Sequence, residues 1–241
     1  MRIPRIYQPA DIHIGSSIEL DATAAHHLSR VLRLKHQDQI ILFNGQGGEY
    51  LSSMQLQGKK VFAVAEAFIE RDLESKLDIC LWQGISKGER MDISIQKAVE
   101  LGVKRIVPII CQRTVVNLKQ ERMARKLQHW QGIIINACEQ SGRTVIPVLQ
   151  PAVKLHEQLA TETPGMKLTM DPEAGVRLRE LSPGSDSISL LIGPEGGLSE
   201  TEIKQATACG FQGIKLGPRV LRTETAALAA IAAIQTCWGD F

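Results

Sequence analysis

Short apolar runs with strand-like length dominate the first 70 positions: Ile40–Phe43, Tyr50–Leu56 and Val61–Ala65. Their β-branched and aromatic content suits a pleated, half-buried surface. Asn44-Gly45-Gln46-Gly47-Gly48 separates the first two runs as a hairpin-type turn, and Gly58-Lys59-Lys60 separates the second pair. Between Asp21 and Leu34 the period changes. Ala24, Leu28, Val31 and Leu32 recur at helical spacing, and Asp21 is placed to cap that helix. Residues 1–70 therefore read as a small, mostly antiparallel β-domain carrying one helix.

The polar stretch at 71–76 reads as a linker. Over 77–241 strand and helix patterns alternate. Leu77–Gly84, Val103–Ile110, Val145–Leu149, Lys167–Met170, Ile188–Ile192 and Gly213–Leu216 read as strands. Helices are expected over 89–101, where Gly102 stops the pattern, and over 118–138, 199–209 and 224–238. Ser199-Glu200-Thr201-Glu202 has the spacing of a capping box. This alternation predicts an α/β domain with a largely parallel sheet. Ala226–Ile234 is apolar on every side of its helix, so it is either a wholly buried core helix or part of a subunit interface.

Composition narrows the function. The chain has 241 residues, 44% hydrophobic and 22% charged, with a net charge of only +2, which excludes a histone-like basic coat. Aromatic residues make up 4%, too few for an aromatic stacking platform. The net charge conceals a division along the chain: residues 1–70 balance 7 basic against 7 acidic, residues 71–150 carry 13 against 8, and residues 151–241 carry 8 against 11. The middle segment is thus basic, through Lys87, Arg90, Lys97, Lys104, Arg105, Arg113, Lys119, Arg122, Arg125, Lys126 and Arg143. The five cysteines, at 80, 111, 138, 209 and 237, lie in no CxxC spacing and fit no zinc module. They read as buried thiols in a reducing cytoplasm. No membrane span and no metal site are expected.

Two glycine-rich corners follow predicted strands. One is Ile192-Gly193-Pro194-Glu195-Gly196-Gly197; the other is Leu216-Gly217-Pro218-Arg219-Val220-Leu221-Arg222-Thr223-Glu224-Thr225-Ala226. Open α/β sheets bind ligands at the carboxyl ends of their strands, and glycine lets backbone groups approach a ligand there. Neither corner matches a dinucleotide fingerprint or a nucleoside-triphosphate phosphate loop.

These two corners resemble the RsmE family of 16S rRNA uridine-N3 methyltransferases, within the SPOUT superfamily. The resemblance extends to Arg2-Ile3-Pro4-Arg5, to 26–33 with Phe43-Asn44-Gly45, to 87–92, to 96–102 and to Glu139-Gln140-Ser141-Gly142-Arg143. Two positions depart from the family pattern: Gln37 stands before Asp38 where glycine is usual, and Val220 where isoleucine is common. The resemblance implies a SPOUT-type parallel sheet with a C-terminal trefoil knot, plus a small N-terminal PUA-like β-barrel domain. It also implies a homodimer, S-adenosyl-L-methionine as cofactor, and 16S rRNA of the 30S subunit, near the decoding centre, as substrate.

By the same resemblance, the cofactor lies against Ile192, Gly193, Pro194, Gly196, Gly197, Leu216, Gly217, Arg219, Leu221, Thr225 and Ala226. Uracil N3 carries a proton, so the reaction needs a base or a cation that stabilises the uracil anion. Arg222 is the candidate for the cation, and Glu195 and Glu224 are candidates for orienting it or taking the proton. The alternative is that Arg222 only pairs with Glu195 or Glu224 to shape the loop. RNA contacts are expected from Arg2, Arg5, His26, His27, Arg30 and Arg33, with Arg30 and Arg33 on one helix face, and from Lys87, Arg90, Lys97 and Arg143. Two rival functions remain: a SPOUT enzyme acting on a ribose 2′-hydroxyl or another base, and a non-catalytic RNA-binding assembly factor.

Overall fold

The computed structural model describes residues 3–58, 60–115 and 120–241. Contacts divide the chain into two units, one comprising Met1–Glu74 with Ile135–Ile146, the other Ser75–Ile134 with Pro147–Phe241.

The first unit is built on a five-stranded sheet. β1 (Arg5–Tyr7), β2 (Ser17–Glu19), β3 (Gln39–Phe43), β4 (Glu49–Gln57) and β5 (Lys60–Ile69) lie in the order β1-β3-β4-β5-β2. β3, β4 and β5 form the antiparallel meander that their alternation predicts, with a register shift at Leu51/Ser52. β1 joins β3 in parallel, and β2 joins β5 antiparallel. At three residues each, β1 and β2 are too short to show a periodicity. Leu28, Ile40, Leu42, Met54 and Ala63 form the fully enclosed centre of this unit's core.

The expected helix over 21–34 is shorter than its pattern. Asp21 does cap it, accepting from the Thr23 and Ala24 amides, but α1 covers only Ala22–His26. A π-helical turn, His27–Val31, follows, closed by the Leu32 N–H donating to the His27 carbonyl. Arg33 then takes a left-handed φ of 56°. Arg30 and Arg33 therefore do not share one helix face, because the helix has ended between them. Gln37 also sits in the left-handed region, at φ 73°.

A set of enclosed charges ties residues 135–146 into this unit. Arg5 is paired with Glu49, both side chains 6% exposed, and Arg143 with Glu74. Arg5 also donates to the Arg143 carbonyl at 3.2 Å, and the Tyr7 N–H donates to Glu139 at 2.9 Å. Charges this deep are tolerated only when paired, so each arginine is committed to its carboxylate.

The second unit is an α/β layer structure. β6 (Asp78–Gly84), β7 (Arg105–Ile110), β8 (Val148–Leu149), β10 (Met166–Met170), β11 (Ser187–Ile192) and β12 (Gln212–Ile214) lie in the order β12-β10-β11-β6-β7-β8, with β9 (Val153–Lys154) also on β7. Every pair in this sheet is parallel. Helices α2 (Glu89–Glu100), α3 (Gln120–Ser141), α4 (Leu155–Leu159), α5 (Glu200–Ala208) and α6 (Thr223–Trp238) connect and cover the strands. The unit boundary falls within α3, and the expected start of that helix at Leu118 lies outside the described residues. Ser199 and Glu202 form the capping box expected for α5.

α6 buries Ala226, Ala227, Ala230, Ile231, Ile234 and Gln235 and packs on α2. Leu228, Ala229, Ala232 and Ala233 on its other face remain half-buried, so the helix is not wholly buried within one chain. Among the described residues no helix is long and apolar enough to cross a membrane, and no cluster of side chains could hold a metal ion.

Burial sets the reactivity of the thiols. It pushes Cys111 and Cys138 up to about 12 and raises Cys80, whereas Cys237 is exposed. A buried thiol with so high a pKa stays protonated and unreactive at pH 8. Iodoacetamide should therefore label Cys237 first, and Cys111 and Cys138 only after unfolding. Peptide mass spectrometry showing equal labelling of all three in the native protein would contradict this burial.

Candidate functional site

A cavity of about 530 Å³ opens at the carboxyl ends of β10, β11 and β12, within the second unit. That volume lies in the range of small-molecule and cofactor sites. All of the expected cofactor-contacting residues in the two corners line it except Thr225, which is exposed one step beyond Glu224 on α6. Arg222, Glu195 and Glu224 line it too. Sequence reasoning missed Thr169, Met170, Asp171 and Pro172, at the end of β10. β10 pairs between β11 and β12, an order set by tertiary pairing rather than by any local pattern.

The loop 193–198 is fixed at several points. The Thr223 hydroxyl donates to the Gly193 carbonyl at 2.6 Å. Glu195 Oε1 accepts from the Lys87 N–H at 2.7 Å and from Arg90 Nη1 at 3.1 Å. Arg113 Nη1 donates to the carbonyls of Gly196, at 3.0 Å, and Leu198, at 3.3 Å. The Gly197 N–H closes a turn onto Pro194 O at 2.8 Å. Gly84 at the end of β6 has to be glycine, because a Cβ there would collide with the Gly193–Pro194 peptide.

The second corner is left open. The N–H groups of Leu216, Gly217 and Leu221 have no hydrogen-bond partner among the described residues. Arg222 is the N-cap residue of α6, exposed, and makes no ion pair among the described residues. The expected alternative, an Arg222 pair with Glu195 or Glu224, is absent, because Glu195 is taken by Arg90 instead. Glu224 Oε2 is sheltered from solvent without a hydrogen-bond partner. It stands in the first turn of α6.

The expected RNA contacts do not share one environment. His26, His27, Arg30, Arg33 and Lys87 are exposed. Arg90 is paired with Glu195 and Lys97 with Glu100. Arg5 and Arg143 are corrected: their guanidiniums lie buried against Glu49 and Glu74 and are not offered to phosphate. Arg2 and Lys119 lie outside the described residues. On α3, His129 pairs with Asp92 at 2.9 Å, and Lys126 lies over the Trp130 ring.

Residues 73–235 match a family model described as an RNA methyltransferase domain, and residues 20–65 one described as an RNA methyltransferase PUA domain. The chain is similar to a protein named ribosomal RNA small subunit methyltransferase E from Buchnera aphidicola, at 38% identity covering 99% of this chain and 98% of the relative. A Bacillus subtilis protein of the same name is 31% identical, covering 92% of this chain and 91% of the relative. Among solved structures, a methyltransferase from Legionella pneumophila with bound SAM superposes over 100% of both chains, with a TM-score of 0.97 and 41% identity. A ribosomal RNA small subunit methyltransferase E from Neisseria gonorrhoeae bound to S-adenosyl methionine does so over 100% of both chains, with a TM-score of 0.95 and 42% identity.

The clamp on the loop has a pH signature. Partial burial pushes the Glu195 carboxyl up, but the Lys87 N–H and Arg90 outweigh it and leave the group below its usual 4.5. A depressed carboxylate contributes stability above its unfolded pKa and loses it as pH falls through the folded value. Carbon-13 NMR of the Glu195 carboxyl should give a midpoint below 4.5, moving upward in Arg90→Ala. A midpoint at or above 4.5 in the unaltered protein would contradict the clamp.

Proposed function

The chain belongs to the RNA methyltransferase family whose model spans residues 73–235, and from that membership we propose that it methylates N3 of a uridine in 16S rRNA of the small ribosomal subunit, near the decoding centre, with S-adenosylmethionine as cofactor. The observation that carries this reading is the cavity itself: a glycine-lined floor with unspent backbone N–H groups, an unpaired Arg222 and a sheltered carboxylate at Glu224. The likeness to small-subunit ribosomal RNA methyltransferases supports the substrate class.

The lining residues fit this cofactor. S-adenosylmethionine, when bound, supplies an electrophilic methyl group on a sulfonium and brings an ammonium and a carboxylate on its amino-acid end. A carboxylate suits the sulfonium and ammonium charges, and Asp171 lines the cavity. The amides of Leu216, Gly217 and Leu221 are free to hold adenine.

The protein's own groups address the proton on uracil N3. The Arg222 guanidinium stabilises the negative charge that develops on the uracil O2 and O4 as that proton leaves. Glu224 is the proton acceptor in this scheme. Glu195 is instead a structural anchor, held ionised by Lys87 and Arg90. The target base must be unstacked to present N3, which costs a few kcal/mol in a paired context.

The remaining parts of the reading follow the same membership. Residues 1–70 dock RNA through His26, His27, Arg30 and Arg33, with Lys87 adding a cation beside the cavity loop, while residues 77–241 carry the chemistry. α6 pairs two copies of the chain through its half-buried alanine face. The C-terminal segment threads a loop to make the trefoil knot of this superfamily. A ribosomal substrate places the protein in the bacterial cytoplasm.

The deciding experiment is nucleoside mass spectrometry of 16S rRNA from cells lacking the enzyme, treated with protein and cofactor as naked RNA and as 30S subunits. 3-Methyluridine is the expected product; a 2′-O-methylated nucleoside, or no methylation of either substrate, would contradict the proposal. Arg222→Ala should lower turnover by about 10²-fold or more while leaving cofactor affinity within a few-fold, and undiminished turnover would remove Arg222 from the mechanism.

A further inference from the structure

We propose that Thr223 and Gln83 are positioning residues of the methyl-transfer site, forming a buried bridge that holds the two cavity corners in one arrangement and sets the direction of Arg222 and Glu224; this rests on the proposed reading of the cavity. Gln83 lies on the central strand β6 and is 0% exposed, an unusual place for an amide. Its Nε2 donates to the Gly84 carbonyl at 3.2 Å and to the Thr223 hydroxyl at 3.0 Å. That hydroxyl in turn donates to the Gly193 carbonyl at 2.6 Å. Thr223 is itself only 7% exposed, so this chain of bonds is shut away from water. One hydroxyl accepts from β6 and donates to the first corner, while its own backbone belongs to the second.

The place of Thr223 in the chain gives the bridge its consequence. It is the first residue of α6, between Arg222 at the N-cap and Glu224. The Arg222 side chain makes no capping bond, so the Thr223 hydroxyl supplies the polar anchor at this end of the helix. Shifting Thr223 therefore shifts both neighbours that line the cavity. Gln83 Oε1 is buried without a partner, a cost that an apolar residue at this position would avoid. The amide is retained for what its Nε2 holds.

The chemistry makes the test specific. Valine has nearly the shape of threonine but neither donates nor accepts, so Thr223→Val leaves the Gly193 carbonyl and Gln83 Nε2 without that partner. Serine keeps the hydroxyl. Cofactor affinity by calorimetry and kcat at saturating cofactor are measured for Thr223→Val, Thr223→Ser, Gln83→Leu and the Thr223→Val/Gln83→Leu pair, with thermal melting alongside. Thr223→Val should bind S-adenosylmethionine about tenfold more weakly and turn over at least about tenfold more slowly, with Thr223→Ser within about threefold of the unaltered protein. Because both single changes break the same bridge, the double variant should be no worse than the worse single one. Should Thr223→Val not fold, Gln83→Leu carries the same test from the other end. Unchanged affinity and kcat in the variants, equal damage from serine and valine, or additive losses in the double variant would each overturn the bridge. Failure of the unaltered protein to bind the cofactor at all would instead count against the proposed function.

Discussion

The loop 193–198 is the feature on which the rest of the site depends. It leaves the end of a buried parallel strand carrying carbonyls and a carboxylate that need partners, yet it must keep one side clear for a ligand. Its partners come from separate elements: Thr223 at the start of α6, Lys87 just before α2, Arg90 in the first turn of α2, and Arg113 after β7. With those bonds made inside the protein, a ligand does not have to order the loop on arrival, and that saving appears as affinity. At the second corner the amides of Leu216, Gly217 and Leu221 are among those left without a partner among the described residues.

Much of this was legible in the residues. The strand and helix alternation over 77–241 follows from runs such as Ile188–Ile192 and from caps such as Ser199 and Glu202, whose signals are local. The two corners stood out because glycines and charges clustered at strand ends have no packing explanation. Thr169 and Asp171 were not legible, since the insertion of β10 between β11 and β12 is a long-range choice. Gln83 was equally hidden: its strand reads as continuous core, and only the arrival of Thr223 from 140 positions away gives the amide a purpose.

Charge was the least legible property. Arg5 and Arg143 look like phosphate contacts in sequence, but each is spent inside the first unit on a glutamate distant in the chain. The α1 pattern likewise ran past the end of its helix, because a π-turn and a left-handed Arg33 replaced its last turns. What remains exposed there, His26, His27, Arg30 and Arg33, is a smaller and more specific set than the basic residues as a whole. A near-neutral chain can thus present a local cationic surface without being a general polyanion binder.

On the proposed reading, the cavity at the ends of β10, β11 and β12 is a largely preformed cofactor site. Amide hydrogen exchange with and without S-adenosylmethionine measures this directly. The Gly197 N–H, bonded to Pro194 O, should exchange slowly even in the free protein, and residues 216–223 should gain protection when the cofactor binds. Protection that arises elsewhere, or cofactor binding that leaves 216–223 exchanging as before, would contradict it.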